Sequence, residues 1–285
     1  MAGAGSTPDG GALAERLVFS HANGFPAATY ARMLAPLRRG FEVSHVDVFG
    51  HDPRYPVARG WHGLSRQLQD HLEVRRDGGA VWLVGHSLGG YLSLLAAAQP
   101  GAQVAGVVLL DSPLIGGMTG HLLRWSRRTG LDRHLLPLQQ TLQRRARWPD
   151  VDAVRAHFAA KPAFARWDPR VLDDYAWSAT VPDADGRRLL FDREVECSVY
   201  RTLPTRTVCR AARRISAPVA FIGGRNSREV RQIGLGATRT LVGARVAWLD
   251  GSHLFPMERP EAAAAAVGAA IDAMRAVAPR DARAA

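Results

Sequence analysis

The sequence predicts an α/β fold: a mostly parallel sheet flanked by helices, with a mostly helical segment inserted into it. Three observations point there. Short apolar runs alternate with helix-like stretches at the spacing of strand–helix–strand units, most clearly Val81–Val84, Val104–Leu110 and Pro218–Gly223. The first of these leads straight into Gly85-His86-Ser87-Leu88-Gly89 and then a Leu/Ala-rich stretch, so a strand passes through a tight turn into a helix. From Leu114 to about Arg214 the buried-strand runs stop and helix-like pieces replace them. The expected division is a core of residues 1–113 and 215–285, interrupted by a helical cap at 114–214.

The elements follow in order. Met1–Gly11 is rich in Gly and Ala with no apolar segment, and reads as a disordered tail and not a signal peptide. Arg16–Ser20 is a strand ending in the turn-rich His21-Ala22-Asn23-Gly24-Phe25-Pro26, and Tyr30–Leu37 is a short helix. A strand that delivers such a loop into a helix presents unpaired backbone N–H groups. Phe41–Val48 is the next strand; His51 and Asp52 at its end read as loop stabilisers, and His21 as a brace. Trp61–Arg75 carries Leu64, Leu68 and Leu72 at helical spacing, a helix covering the sheet that Asp77-Gly78-Gly79 ends.

Tyr91–Gln99 is the helix after the tight turn, stopped by Pro100-Gly101, and Val104–Leu110 closes in Asp111-Ser112-Pro113. Within the inserted segment, helices are expected at His121–Arg128, His134–Arg147, Val151–Ala160 and Pro169–Tyr175, with a turn at Asp185-Gly186. Trp125, Trp148, Trp167 and Trp177 concentrate there, which suggests a lid that shapes an apolar pocket and a medium-sized, partly apolar substrate. Arg144-Arg145 reads as a solvated helix face, and Glu194 and Glu196, near Tyr200, as surface positions. The sheet resumes at Pro218–Gly223, followed by a loop running to Glu229, and ends with Arg245–Leu249. Pro260–Met274 is a last Ala-rich helix, and the final ten or so residues read as frayed.

Composition narrows the function. At 285 residues and 47% hydrophobic, the chain can bury a large core. No run of about 18 apolar residues appears, so no membrane span is expected. The two cysteines, Cys197 and Cys209, have no metal-binding spacing, and a reduced cytoplasmic setting is the default. The formal charge is +11, but Lys161 is the only lysine among 37 basic residues, and the scattered arginines carry no aromatic-interleaved patch or nucleic-acid motif. No nucleic acid and no membrane partner is therefore expected; a basic face that attracts acidic substrates stays open. The expected partner is a small-molecule substrate.

The chemistry centres on Ser87. A serine on so sharp a strand-to-helix turn is held in strained φ/ψ with its hydroxyl outward, and a bulky residue at Gly85 or Gly89 would collide across the turn. A serine hydroxyl needs a base in hydrogen-bond reach and a third group to orient that base. Of the ten histidines, His253 alone comes late in the chain at a strand end, in the loop Gly251-Ser252-His253. His86 packs at the elbow, and His121, His134 and His157 sit on helices of the insertion.

Together, His21-Ala22-Asn23-Gly24-Phe25-Pro26, Gly85-His86-Ser87-Leu88-Gly89-Gly90 and Gly251-Ser252-His253-Leu254-Phe255-Pro256-Met257-Glu258 resemble the α/β-hydrolase superfamily with a helical cap, over nearly the whole chain. The resemblance implies an α/β-hydrolase sheet with the cap inserted after the strand ending at Asp111. It implies Ser87 as nucleophile, His253 as base, and the backbone N–H groups of Leu88 and Asn23 as oxyanion hole. One departure stands out. The family's usual acid loop reads Gly223-Gly224-Arg225-Asn226-Ser227 here, with no aspartate. Asp111 is favoured as the acid, Glu229 is the alternative, and a Ser–His dyad assisted by Asn226 is the third option.

The function expected is a serine hydrolase that works through an acyl-enzyme on a carboxylic ester or related acyl substrate (thioester, lactone or C–C diketone), with no metal or cofactor implied. A serine nucleophile disfavours dehalogenase and epoxide hydrolase chemistry, which relies on a carboxylate. The alternatives are a slow-turnover or non-hydrolytic binding protein on the same fold, or a perhydrolase or lyase.

Overall fold

The computed structural model describes residues 15–74, 79–129 and 138–277. The N-terminal tail, Asp77 and Gly78, His134, and the chain beyond Val277 lie outside the described residues. Among the described residues nine strands form two sheets: β1 (Glu15–Ser20), β2 (Phe41–His45), β3 (Val81–His86), β4 (Val104–Leu110), β5 (Arg147–Trp148), β6 (Thr180–Asp183), β7 (Gly186–Leu189), β8 (Val219–Gly224) and β9 (Val246–Leu249). The larger sheet has the order β2-β1-β3-β4-β8-β9, and every pair in it is parallel. All its strands therefore end at one edge, and that edge collects the loops carrying Asn23, Ser87, Asp111, Ser227 and His253.

The period-2 alternation of side chains sorts the core into two layers. Leu17, Phe19, Trp82, Val84, Val108 and Leu110 face the helices Ala31–Leu37 and Pro260–Val277. Val18, Leu83, Val107 and Leu109 face the helices His62–Glu73 and Leu88–Ala97, through Leu64, Leu68, Leu92 and Leu95. A strand covered on both sides must be apolar throughout, which is why all six residues of β3 are buried. β2 is shorter than its apolar pattern suggests. Beyond His45 the backbone is used by loops instead of the ladder: Ala27 N–H donates to Asp47 O, Gln67 Nε2 to Val48 O, and Phe49 N–H to His21 Nε2.

Between β4 and β8 lie the helices Gly117–Thr129, Leu138–Leu142, Val151–Ala159, Pro169–Ser178, Arg193–Arg201 and Thr205–Ala212. They share this stretch with a small antiparallel sheet, β5-β7-β6, that the sequence pattern does not reveal. Its strands are two to four residues long and read Arg-Trp, Thr-Val-Pro-Asp and Gly-Arg-Arg-Leu, too polar to register as strands. The Asp185-Gly186 turn is the bend of the β6–β7 hairpin. The helix expected over His134–Arg147 ends at Leu142, because Arg147 and Trp148 pair with β7 and Ala146 O accepts from Leu189 N–H.

The tryptophans of this segment need a correction. Trp148 and Trp167 are buried in an aromatic cluster with Phe158, Phe164 and Tyr175, which rests on Phe25 of the first core turn. Trp125 and Trp177 are exposed. Trp148 and Trp167 pack inside the segment, and none of the four lines the cavity beside Ser87 described below. Among the described residues no helix is long and apolar enough to cross a membrane.

Candidate active site

Ser87 sits between β3 and the helix Leu88–Ala97 with φ 52° and ψ −111°, a left-handed conformation that a non-glycine residue rarely adopts. The turn is locked from both sides. Ser87 N–H donates to Leu110 O at 3.0 Å, tying the elbow to the neighbouring strand. A Cβ on Gly85 would lie 2.3 Å from Gly89 backbone atoms, and one on Gly89 would lie 1.9 Å from Ser20 O. A larger residue at Gly89 would push the elbow off β1, and one at Gly85 would force the turn itself apart.

Asp111 is the first residue after β4, nearly fully buried at 1% exposure, and also has positive φ, at 45°. Its carboxylate collects three donors. Oδ1 accepts from Gly224 N–H at 2.7 Å, and Oδ2 from Ser227 Oγ at 2.5 Å and from His253 Nδ1 at 2.7 Å. β4 pairs with β8 and β8 with β9, so these three groups come from adjacent strand ends. Burial alone would push this carboxyl up, but the His253 bond and charge, then Ser227 and Gly224, outweigh it and hold it below the ordinary carboxylate range. On His253 the balance runs likewise. Burial disfavours the imidazolium, while the Asp111 hydrogen bond and the charges of Glu229 and Asp111 raise its pKa above the usual 6.5. With the Nδ1 proton engaged by Asp111, Nε2 keeps the lone pair that a base needs.

The other acid candidates stand apart. Glu229 Oε2 is 3.9 Å from His253 Nδ1, and its side chain is 46% exposed. It lies in the first turn of the helix Arg228–Ile233, not in a loop. Asn226 is exposed, and its backbone N–H donates to Gly251 O. Ser227 is a residue that sequence reasoning missed. It caps the helix Arg228–Ile233, accepting from Val230 N–H, and its hydroxyl proton points to Asp111 Oδ2. In sequence only the capping signature is visible, because the carboxylate it reaches lies 116 residues earlier.

The turn after β1 lies against the elbow. Ala22 N–H donates to Tyr30 Oη and Phe25 N–H to Ala22 O, which leaves Asn23 and Gly24 as the N–H groups that the turn can offer. The Asn23 side chain is occupied, donating through Nδ2 to Glu196 O. Leu88 N–H is among the four that a helix start leaves without an internal partner. His21 braces the turn, donating to Ala22 O and accepting from Phe49 N–H; burial lowers its pKa to about 4. His51 is likewise structural, with Nδ1 donating to Phe49 O and Nε2 accepting from Asp192 N–H, while Asp52 pairs with Arg54.

His86 is more than packing. Its Nε2–H donates to His253 O at 2.9 Å, so Nδ1 accepts from Tyr30 Oη at 2.7 Å. Burial, then the neighbouring His253, lowers its pKa to about 3 and keeps it neutral. A buried chain thus runs from Ala22 N–H through Tyr30 and His86 to the backbone of the His253 loop.

Ser87, Asp111 and His253 line one cavity of about 630 Å³. Its remaining wall is largely apolar, with Phe25, Trp61, Leu122, Val199 and Ile233, and Tyr200 and Glu229 supply polar atoms. Glu196 is not on that wall. It is buried against Arg144, in contrast to the surface positions expected for both. Glu194 is exposed. Among the described residues, Asp111, Glu229 and His253 are the group whose ligand atoms lie close enough for a metal, all within 4.8 Å.

The sequence model of the alpha/beta hydrolase family matches residues 17–266. No curated protein sequence matches the chain. Among solved structures the chain is similar to E-2-(acetamidomethylene)succinate hydrolase, at 23% identity and TM-score 0.72 over 90% of this chain and 91% of that one. It is also similar to an M. tuberculosis esterase, at 22% identity and TM-score 0.68 over 92% and 87%. A third is the thioesterase domain from the curacin biosynthetic pathway, at 20% identity and TM-score 0.65 over 90% and 91%. At these identities the likeness is one of fold.

Proposed function

The chain belongs to the alpha/beta hydrolase family, and from that premise we propose that it is a serine hydrolase acting through an acyl-enzyme on a carboxylic ester or thioester. The observation that carries this reading is the buried Asp111–His253 hydrogen bond in the same cavity as the strained Ser87. His253 Nε2 takes the Ser87 proton as Oγ attacks the acyl carbon, and returns it to the leaving group as the bond to that group breaks. Water then attacks the Ser87 ester with the same base, releasing the acid. Asp111 stabilises the imidazolium that forms in each half. The N–H groups of Leu88 and Asn23 receive the oxyanion, and residues 114–214 act as a cap that shapes the acyl pocket. A cytoplasmic location belongs to the same reading.

The absent aspartate in the usual acid loop was the one support for a non-hydrolytic binding protein. Asp111 in contact with His253 supplies an acid and weakens that support. Fluorophosphonate labelling followed by peptide mass analysis tests the proposal without knowledge of the substrate. A single adduct on the Ser87 peptide, absent in His253→Ala, is expected. Folded protein that takes up no probe, or takes it up elsewhere, would rule the mechanism out.

A further inference from the structure

A second cavity, of about 660 Å³, adjoins the catalytic one and shares Ile115 with it. It opens between the helices Gly117–Thr129 and Thr205–Ala212, whose residues Thr119 and Leu122 on one, and Leu203 just before the other, line the catalytic side. Arg206, Arg210 and Arg213 stand on its wall. Spacings of four and three put them along one helical face, spread over roughly 10 Å of axis at 1.5 Å per residue. All three are exposed, and among the described residues none has an ion-pair or hydrogen-bond partner and no Asp or Glu lines the cavity. Other exposed arginines between β4 and β8 do meet acids: Arg147 meets Asp183, Arg155 meets Asp173, and Arg170 meets Asp168 and Glu261. Arg201 and Arg214, which flank the same helix, resemble the three in the groove in having no such contact among the described residues.

Three like charges on one face repel each other, so their arrangement favours an occupant that carries the opposite charge. A single carboxylate would engage one guanidinium. A ligand with several phosphate charges along its length matches the row, and arginine is the side chain whose planar fork suits phosphate oxygens. The adjoining cavity offers an apolar wall to an uncharged acyl group. We infer that the arginine-lined groove binds the phosphate-bearing leaving group of the substrate, an acyl thioester on a small phosphorylated thiol of the coenzyme A kind.

This rests on the serine hydrolase reading above. In that reaction Ser87 Oγ forms the bond to the acyl carbon as the C–S bond breaks, and the thiolate takes the proton held by His253. Water then cleaves the Ser87 ester, so the products are a carboxylic acid and the free phosphorylated thiol. No oxidant or reductant is needed.

The test compares hexanoyl-coenzyme A with the hexanoyl thioester of N-acetylcysteamine, which has the same acyl group and sulfur but no phosphate. Binding is measured by calorimetry on Ser87→Ala protein, and turnover on the intact enzyme. The coenzyme A ester is expected to bind at least about tenfold more tightly, with an advantage that shrinks as salt rises from about 50 to about 500 mM. Arg206→Glu with Arg210→Glu should remove that advantage and leave binding of the truncated thioester unchanged; Arg206→Gln with Arg210→Gln should remove part of it. Equal affinity for the two thioesters, or charge reversal without effect, overturns the inference. Turnover of both thioesters at equal efficiency would sink the groove and leave the hydrolase reading standing. Tight, arginine-dependent binding without turnover of either thioester would sink the hydrolase reading and leave the groove.

Discussion

Asp111 and Glu196 are both buried carboxylates beside a cationic or cation-forming partner, one at the edge of the parallel sheet and one in the inserted segment. Their pKa values move in opposite directions. Asp111 is held below the ordinary range although burial works against it, because Gly224 N–H, Ser227 Oγ and His253 Nδ1 all donate to it. Glu196 is pushed up, since burial outweighs what Arg144 returns. Asp111 accepts from three separate groups, whereas Glu196 accepts two N–H groups of one guanidinium. Aligned strand ends bring backbone, hydroxyl and imidazole donors to one point; the bend after the helix Leu138–Leu142 brings a single guanidinium to Glu196.

The largest effect should come from breaking the favoured side of this contrast. If Asp111 is the acid, as proposed, Asp111→Asn is expected to lower kcat/KM by about 10⁴-fold, measured on any ester or thioester that is turned over. Glu229→Gln losing more activity than Asp111→Asn would transfer the acid role to Glu229. On the other side, Arg144→Met should destabilise the fold by about 3–5 kcal/mol in denaturant unfolding, since it strands a buried carboxylate. Combining it with Glu196→Met should restore most of the loss. A double variant no more stable than the single one would mean that packing, not charge, holds that contact.

Removing one donor from Asp111 is a smaller perturbation. Ser227→Ala is expected to reduce kcat/KM by about tenfold, in line with about 1.5–3 kcal/mol for a hydrogen bond to a charged group, shared with two remaining donors. An unchanged rate would show that Ser227 serves only as a helix cap. The smallest effect is on pH dependence. His253 must be neutral to act as base, so the acid limb of kcat/KM should lie above 6.5, the direction in which Asp111 and Glu229 move it. Glu229→Gln removes one of those charges and should shift the limb to lower pH. The plateau rate should stay within about threefold, because the half-exposed Glu229 carboxylate is partly screened by solvent. A limb that moves up, or does not move, would contradict the electrostatic role of Glu229.

The parts of the site legible in sequence were those built by local geometry. Gly85 and Gly89 around Ser87 announce a turn into which no side chain fits, and β3 and the following helix carry apolar patterns on either side of it. His253 was singled out as a candidate base from its position at the end of the last strand. The choice between Asp111 and Glu229 rested on position alone in the sequence, because both are carboxylates that follow strands of the sheet and only the side-by-side placement of β4, β8 and β9 brings one of them to 2.7 Å from His253. Ser227 was hidden for the same reason, and the Tyr30–His86 link to the His253 loop joins residues far apart in the chain.

The inserted segment was the hardest to read. β5, β6 and β7 are short, polar and paired over long sequence gaps, so no periodicity marks them, and Arg144 and Glu196 look like surface residues until they are brought together. By itself the sequence determined the alternation of strands and helices, the glycine-bound elbow at Ser87 and the late histidine, because these depend on contacts between near neighbours and on a repeating pattern of apolar residues. Only the tertiary structure decided which carboxylate faces His253, which charges are buried and which arginines are left without a partner, because those outcomes depend on which distant side chains share one place.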